Sequence, residues 1–177
     1  MSVKKSSSLK HHLKIQKAKI AIVVSRFNET ITNALLSGSR KGLEEAGIPE
    51  KSIQVFEVPG AFEIPLTALE IARSKVYQGI ICLGAVIRGE TSHFDYVCLA
   101  VTKGVLHAQL ETGIPISFGV LTTDTIEQAL ARAGNNSENK GYEAAKVVVE
   151  MVELMRRIKN GYPKKSPRSG ASNSLSG

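Results

Sequence analysis

The stretch Gly79–His93, GIICLGAVIRGETSH, decides the fold. Its first part, Gly79–Gly84, carries no charged side chain. A continuous apolar run of that length is a strand covered on both faces, which a parallel sheet between helices provides and a one-sided sheet does not. Its second part is a loop, Arg88-Gly89-Glu90-Thr91, and behind it comes a long amphipathic segment, Ser92–Glu111. There Phe94, Val97, Cys98, Val101, Val105 and Ala108 recur at steps of three and four, the spacing of one helical face. Strand, polar loop and helix in that order are half of a βαβ unit.

The flanking sequence repeats the alternation. Upstream, the β-branched run Lys19–Val24 (KIAIVV) reads as a strand that breaks at Ser25-Arg26-Phe27-Asn28. Asn28 is the expected cap of a helix running to about Ala46 and stopping at Gly47 and Pro49, with Glu29 favourable at its positive end. Ser52–Val58 (SIQVFEV) alternates as a second strand. Pro59-Gly60 ends it, and a helix follows from about Ala61 to Ser74, with Pro65 tolerated near its first turn. Downstream, Gly113 and Pro115 punctuate before a fourth strand, Pro115–Val120 (PISFGV). Asp124 is the expected cap of a short helix to Ala133, Gly134–Asn139 is a polar loop, and Lys140–Ile158 is the last helix, with Ala144, Val148, Met151, Met155 and Ile158 on one face. The order β-α-β-α-β-α-β-α-α predicts an α/β three-layer sandwich, a four-stranded parallel sheet flanked by helices in a flavodoxin-like layout.

Composition agrees and narrows the class. The chain has 177 residues, 42% hydrophobic and 22% charged, the balance of one globular domain rather than a disordered or collagen-like chain. Its longest uncharged runs, Val76–Ile87 and Thr112–Thr123, fall well short of the ~20 apolar residues of a membrane helix. Lys4 and Lys5 are followed by no apolar core, so no secretory signal is expected. Cys82 and Cys98 sit in apolar periodic segments, as free thiols in a reducing compartment do, and a cytoplasmic location is expected. The formal net charge is +7, but residues 1–19 hold six lysines and no acid, residues 156–177 hold six basic residues and no acid, and residues 20–155 hold 11 basic against 16 acidic side chains. Basic ends on a mildly acidic body argue for solvated, flexible ends and against nucleic acid as a partner. The expected division is a flexible basic segment 1–18, an α/β domain 19–159, and a flexible basic, Ser-rich tail 160–177.

Ligands of open parallel sheets bind beyond the carboxyl ends of the strands, and the unusual residues of this sequence lie there. After the first strand come Arg26 and Phe27; after the second, Pro59-Gly60-Ala61-Phe62-Glu63; after the third, Arg88 to His93. Gly89 permits a tight turn, Thr91 and Ser92 offer hydroxyls, and a helix begins, so free N–H groups and the helix dipole make an anion site, or simply a helix cap. Neither GxxxxGK[ST] nor GxGxxG is present. His93, in the first turn, is the one histidine beside that loop, and an imidazole there can move protons near neutral pH. Phe27 and Phe118 are candidate platforms for a flat heterocycle, or core residues. Glu63 can accept from ligand hydroxyls, or serve as a helix-start carboxylate. Neither cysteine has a histidine close by in sequence, which argues against thiol catalysis.

Taken together, Val23–Asn28 (VVSRFN), Val58–Pro65 (VPGAFEIP), Gly84–Tyr96 (GAVIRGETSHFDY), and Arg132-Ala133-Gly134 with Asn139-Lys140-Gly141 resemble the 6,7-dimethyl-8-ribityllumazine synthase family over about Ile20–Ile158. The resemblance implies condensation of 5-amino-6-(D-ribitylamino)uracil with 3,4-dihydroxy-2-butanone 4-phosphate, the penultimate step of riboflavin biosynthesis, with no cofactor. It implies that Phe27 stacks on the pyrimidine, that Ala61, Phe62 and Glu63 hold the ribityl-bearing substrate, and that Ala85, Val86 and Ile87 meet the pyrimidine through main-chain groups. Glu90 and Thr91 then hold phosphate, His93 transfers protons, and Phe118 and Arg132 arrive from a neighbouring subunit, with Arg132 and Lys140 adding positive charge at the phosphate. Family members are pentamers or shells of twelve pentamers, so a homo-oligomer (pentamer or 60-mer) is expected, with riboflavin synthase as a further partner and no membrane. The alternatives are a non-catalytic flavin- or phosphate-binding flavodoxin-like protein and a shell with vestigial activity.

Overall fold

The computed structural model describes residue 15 and residues 17–135 and 138–161. Most of the two expected flexible ends, and residues 136 and 137 of the polar loop, lie outside the described residues. The elements are β1 (Ile20–Ser25), α1 (Glu29–Glu45), β2 (Ile53–Val58), α2 (Ile64–Arg73), β3 (Gly79–Ile87), α3 (His93–Thr112), β4 (Ile116–Thr123), α4 (Ile126–Ala133) and α5 (Lys140–Lys159). The strands form one sheet in the order β2-β1-β3-β4, every pair parallel. This is the expected α/β sandwich, and its strand order reverses direction between β1 and β3, where such sheets open a crevice.

Strand periodicity divides the core in two. Ile20, Ile22 and Val24 of β1 and Ile81, Leu83 and Ala85 of β3 face α1, α4 and α5. Ala21 and Val23 of β1 and Ile80 and Cys82 of β3 face α2 and α3. Both faces being covered explains why β1 and the first seven residues of β3 are buried at every position. Ile15 and Ala18 also pack into the first of these layers.

Three details differ from the sequence reading. β3 continues to Ile87 and β4 to Thr123, three residues past the expected ends, because the two strands pair with each other through Ile87↔Thr123. Residues Ala61–Glu63 form a 3₁₀ turn, and the α-helical hydrogen bonding begins at Ile64, with Pro65 in its first turn where a missing N–H costs nothing. Asp124 does not cap α4. Thr125 is the cap, its hydroxyl accepting from Gln128 N at 3.2 Å while the Gln128 side chain accepts from Asp124 N at 3.0 Å. Asp124 is thereby free to use its carboxylate elsewhere.

The α1–α5 contact depends on close main-chain approach. Leu35 and Leu43 are fully buried there, and a methyl group on Gly141 would collide with the main-chain carbonyl of Leu35. Gly141→Ala must separate the two helices, and overpacking of this kind costs about 3 kcal/mol. The urea midpoint should fall accordingly with an unchanged m-value; an unaltered midpoint would mean that the helices are not in contact at this point.

Candidate active site

The floor of the main cleft follows from unequal strand lengths. β1 pairs with β3 only as far as Val24↔Leu83, whereas β4 stays paired with β3 as far as Ile87. In a parallel pair, successive residues direct their main-chain groups to alternate sides. Ile80 N and Arg88 N bond to carbonyls on the β4 side, so Ala85 and Ile87 point theirs to the side β1 has vacated. The Ala85 carbonyl is taken by Asn28 Nδ2 at 2.9 Å. Beyond it, the Ile87 main chain faces the cleft.

Asn28 makes that bridge from an unusual conformation. Its φ of 61° and ψ of 47° are left-handed, and it stands at the N-terminus of α1 without a side-chain cap bond. The expected capping role is therefore not what the side chain does. Asparagine tolerates this conformation better than most residues, and its amide is spent in tying the β1 loop to β3. The β1 and β2 loops are tied in turn by Arg26 N to Val58 O at 2.8 Å and Phe27 N to Pro59 O at 3.1 Å.

These ties shape a cleft of about 690 Å³ lined by Phe27, by Pro59 to Glu63, by Ala85 to Ile87, and by Gly89, Thr91, His93, Phe94 and Val97. Phe27 is 71% exposed and Phe62 61%; neither is a core residue. Glu63 Oε2 accepts from Gly60 N at 2.9 Å, which fixes the carboxylate at the rim. His93 opens α3, and its main-chain N–H meets only Thr91 Oγ1, at 3.4 Å. Among the described residues, the N–H groups of Glu90, Thr91 and Ser92 have no protein acceptor, so the positive end of a 20-residue helix faces outward beside the cleft. Glu90 is exposed and lines neither this cleft nor the next.

Phe118, Arg132 and Lys140 do not reach that cleft. They line a second one of about 320 Å³ along β4, the edge strand, and α5. Arg132 Nη1 donates to Gln128 O at 2.9 Å, and Lys140 Nζ pairs with Glu143 at 2.7 Å. Phe118 is 43% exposed. The residue that holds this hollow in place is one to which the sequence, where it stands in the Asn139-Lys140-Gly141 motif, assigns no role of its own. Asn139, buried in the polar loop, accepts from Gly141 N and Tyr142 N and donates to the carbonyls of Ala34, Ala133 and Gly134. It caps α5 and holds the end of α4 beside it, so it sets where Arg132 and Lys140 stand.

The 6,7-dimethyl-8-ribityllumazine synthase family model matches residues 17–156, which is most of the chain and includes both clefts. The chain belongs to the lumazine synthase family. The family is one of riboflavin biosynthesis, with transferase activity, so small molecules are the ligands to which a member's clefts are addressed. No helix among the described residues is long and apolar enough to cross a membrane.

Within this lumazine synthase family member, Phe94 and Val97 complete the main cleft and were read from sequence only as packing residues. The signal that could have marked Phe94 is its place next to His93 in the first helical turn. The cysteines are not part of either cleft. Burial pushes the Cys82 thiol up to about 12, and Cys98 is also raised, first by burial and then by Asp95. Both changes disfavour the thiolate that alkylation requires. Iodoacetamide at pH 7.5 should therefore label at most Cys98, slowly, in the native protein, and both cysteines after denaturation; rapid labelling of Cys82 in the folded state would contradict this account of the core.

Proposed function

We propose that the chain condenses 5-amino-6-(D-ribitylamino)uracil with 3,4-dihydroxy-2-butanone 4-phosphate to give 6,7-dimethyl-8-ribityllumazine, phosphate and water. The observation that carries the reading is the convergence in one cleft of an exposed aromatic ring, an unpaired strand edge, a fixed carboxylate and a histidine beside open helix N–H groups.

Each part has a use in that reaction. Phe27 stacks on the flat pyrimidine. The open main chain of Ile87 reads its polar edge, while Ala85, whose carbonyl Asn28 holds, and Val86, whose main-chain groups face β4, line the floor beneath the ring. Ala61, Phe62 and Glu63 receive the ribityl chain, with Glu63 accepting from its hydroxyls. Glu90 and Thr91 give main-chain N–H groups, and Thr91 its hydroxyl, to the phosphate at the positive end of α3. An aromatic amine of the first substrate attacks the ketone of the second, and water leaves. Phosphate is eliminated, and the second amine closes the ring with loss of further water. The substrates bring their own nucleophile and leaving group, so the protein's task is to hold them together, stabilise the departing phosphate and move protons. His93 is the group placed to move them.

The reading requires a homo-oligomer, which we propose is built on pentamers. Phe118, Arg132 and Lys140 stand in a cleft of their own, and it is a neighbouring chain's site that they would complete. A second feature supports assembly. Tyr96, Leu99, Leu106 and Leu110 of α3 are 68, 51, 51 and 73% exposed, and with Lys103 they fall at alternating steps of three and four, the seam of a helix that packs on other helices. A closed ring covers such a seam in every copy.

Turnover of the two substrates, followed by lumazine absorbance, tests the reading directly, and no product from the wild-type chain would refute it. His93→Ala should lower turnover about 10- to 1000-fold with the assembly intact; unchanged turnover would remove His93 from the mechanism.

A shared site makes a further demand. His93→Ala and Arg132→Ala chains, each impaired alone, should regain activity when unfolded and reassembled together. At equal amounts, about one site in four then combines an intact His93 from one chain with an intact Arg132 from its neighbour. Recovery no greater than the sum of the two separate variants would show that the site is not shared.

A further inference from the structure

Arg88 lines neither cleft, yet its side chain is engaged on several sides between them. It stands where β3 ends, and its main-chain N–H donates to Thr123 O at 2.9 Å. Its guanidinium Nε donates to Asp124 Oδ1 at 2.8 Å, its Nη1 reaches Asp95 Oδ1 at 3.2 Å, and its Cζ lies 4.1 Å from the centre of the Phe94 ring. One planar group thus joins three places. Asp95 and Phe94 are in the first turn of α3, behind the Gly89–His93 loop. Asp124 follows β4 and precedes α4, the helix that carries Arg132. Its positive charge is committed to carboxylates, so it is a poor candidate for phosphate binding itself.

Resting on the function proposed above, we propose that Arg88 is a positioning residue that links two active sites of the assembly. It holds the phosphate loop of its own chain's site and, through Asp124, sets the start of the helix whose far end presents Arg132 to the neighbouring site. Two features make a link of this form effective. The guanidinium is a rigid fork, so it fixes directions as well as distances. Asp124 is available because Thr125 has taken the capping role. A lysine at 88 would keep the charge but could not bind two carboxylates from two elements while lying on the Phe94 ring.

The test measures the phosphate end of the reaction separately from the pyrimidine end. Arg88→Ala should raise the KM for the butanone phosphate roughly 3- to 30-fold, and weaken binding of inorganic phosphate by a similar factor, with a much smaller change in the KM for the pyrimidine; the bonds are solvent-accessible, which keeps the effect below that of losing a direct ligand. Arg88→Lys should not restore the values. Asp124→Ala, which removes the acceptor of Arg88 Nε and leaves the bond to Asp95 in place, should produce a partial defect of the same kind and provides the reading if Arg88→Ala folds poorly. Equal rises in both KM values, a lowered melting temperature with unaltered phosphate affinity, or full rescue by lysine would overturn the proposal. Wild-type phosphate affinity in Asp124→Ala would overturn the link to α4. Phosphate binding is measured without turnover, so failure of the assigned reaction is seen in the wild-type assay and failure of the Arg88 role in the variants.

Discussion

The site exists because β3 is longer than the strand beside it. β1 stops pairing with β3 at Val24↔Leu83, while β4 supports β3 for four further residues, from Gly84 to Ile87. An unpaired strand edge inside a sheet exposes polar main-chain groups that must meet water, a side chain or a ligand. Here one group is met by Asn28, and the next lie open at the floor of the cleft. The loops after β1 and β2, bonded to each other, form one wall, and the start of α3 forms the other. The rest of the cleft is arranged around that gap.

Two asparagines then do for the loops what the ladder does for the strands. Asn28 crosses from the end of β1 to β3, and Asn139 ties the body of α1, at Ala34, to the end of α4 and the start of α5 through its amide. The second requires space. A side chain at Gly38 would overlap the Asn139 amide, so a glycine in the middle of α1, ordinarily unfavourable for a helix by about 1 kcal/mol, is tied to the buried cap across from it. The position of Arg132 and Lys140 is therefore a consequence of packing at α1, well away from the cleft they line.

These relations mark how far the sequence could be read. The order of elements, the layers and the loops that meet at the main cleft are local matters, visible in the apolar run at Gly79–Gly84, the alternation at Ser52–Val58 and the helical steps from Phe94 to Ala108. The ends of β3 and β4 were read short because their last residues are strands only by pairing with each other, a contact between positions far apart in the chain. The roles of Asn28 and Asp124 were assigned to helix caps, the usual local use of such residues, and both side chains were drawn to partners on other elements instead. Asn139 looked like one more polar loop residue because its five main-chain partners come from three segments. The separation of Phe118 and Arg132 from the other candidate residues came from resemblance, and no spacing or periodicity could have supplied it.

The direction of the chain also organises charge. In a parallel α/β layout, helices begin where strands end. The N-termini of α1, α2 and α3 therefore lie at the cleft, and their C-termini at the opposite edge of the sheet. Each C-terminus carries about half a negative charge. The hollow at that edge is lined by the ends of α3 and α5 and by Lys17, Lys75, Arg156 and Lys159, with no acidic side chain among the described residues. Three of those four cations sit in, or within two residues of, the last turn of a helix. Their placement is accounted for by the helix ends they neutralise, without appeal to an anionic ligand. The same directionality leaves the opposite, positive ends open at the strand termini, so an anion is favoured at the start of α3 and a basic pole is favoured behind it. Both follow from one choice, that every strand of the sheet runs the same way.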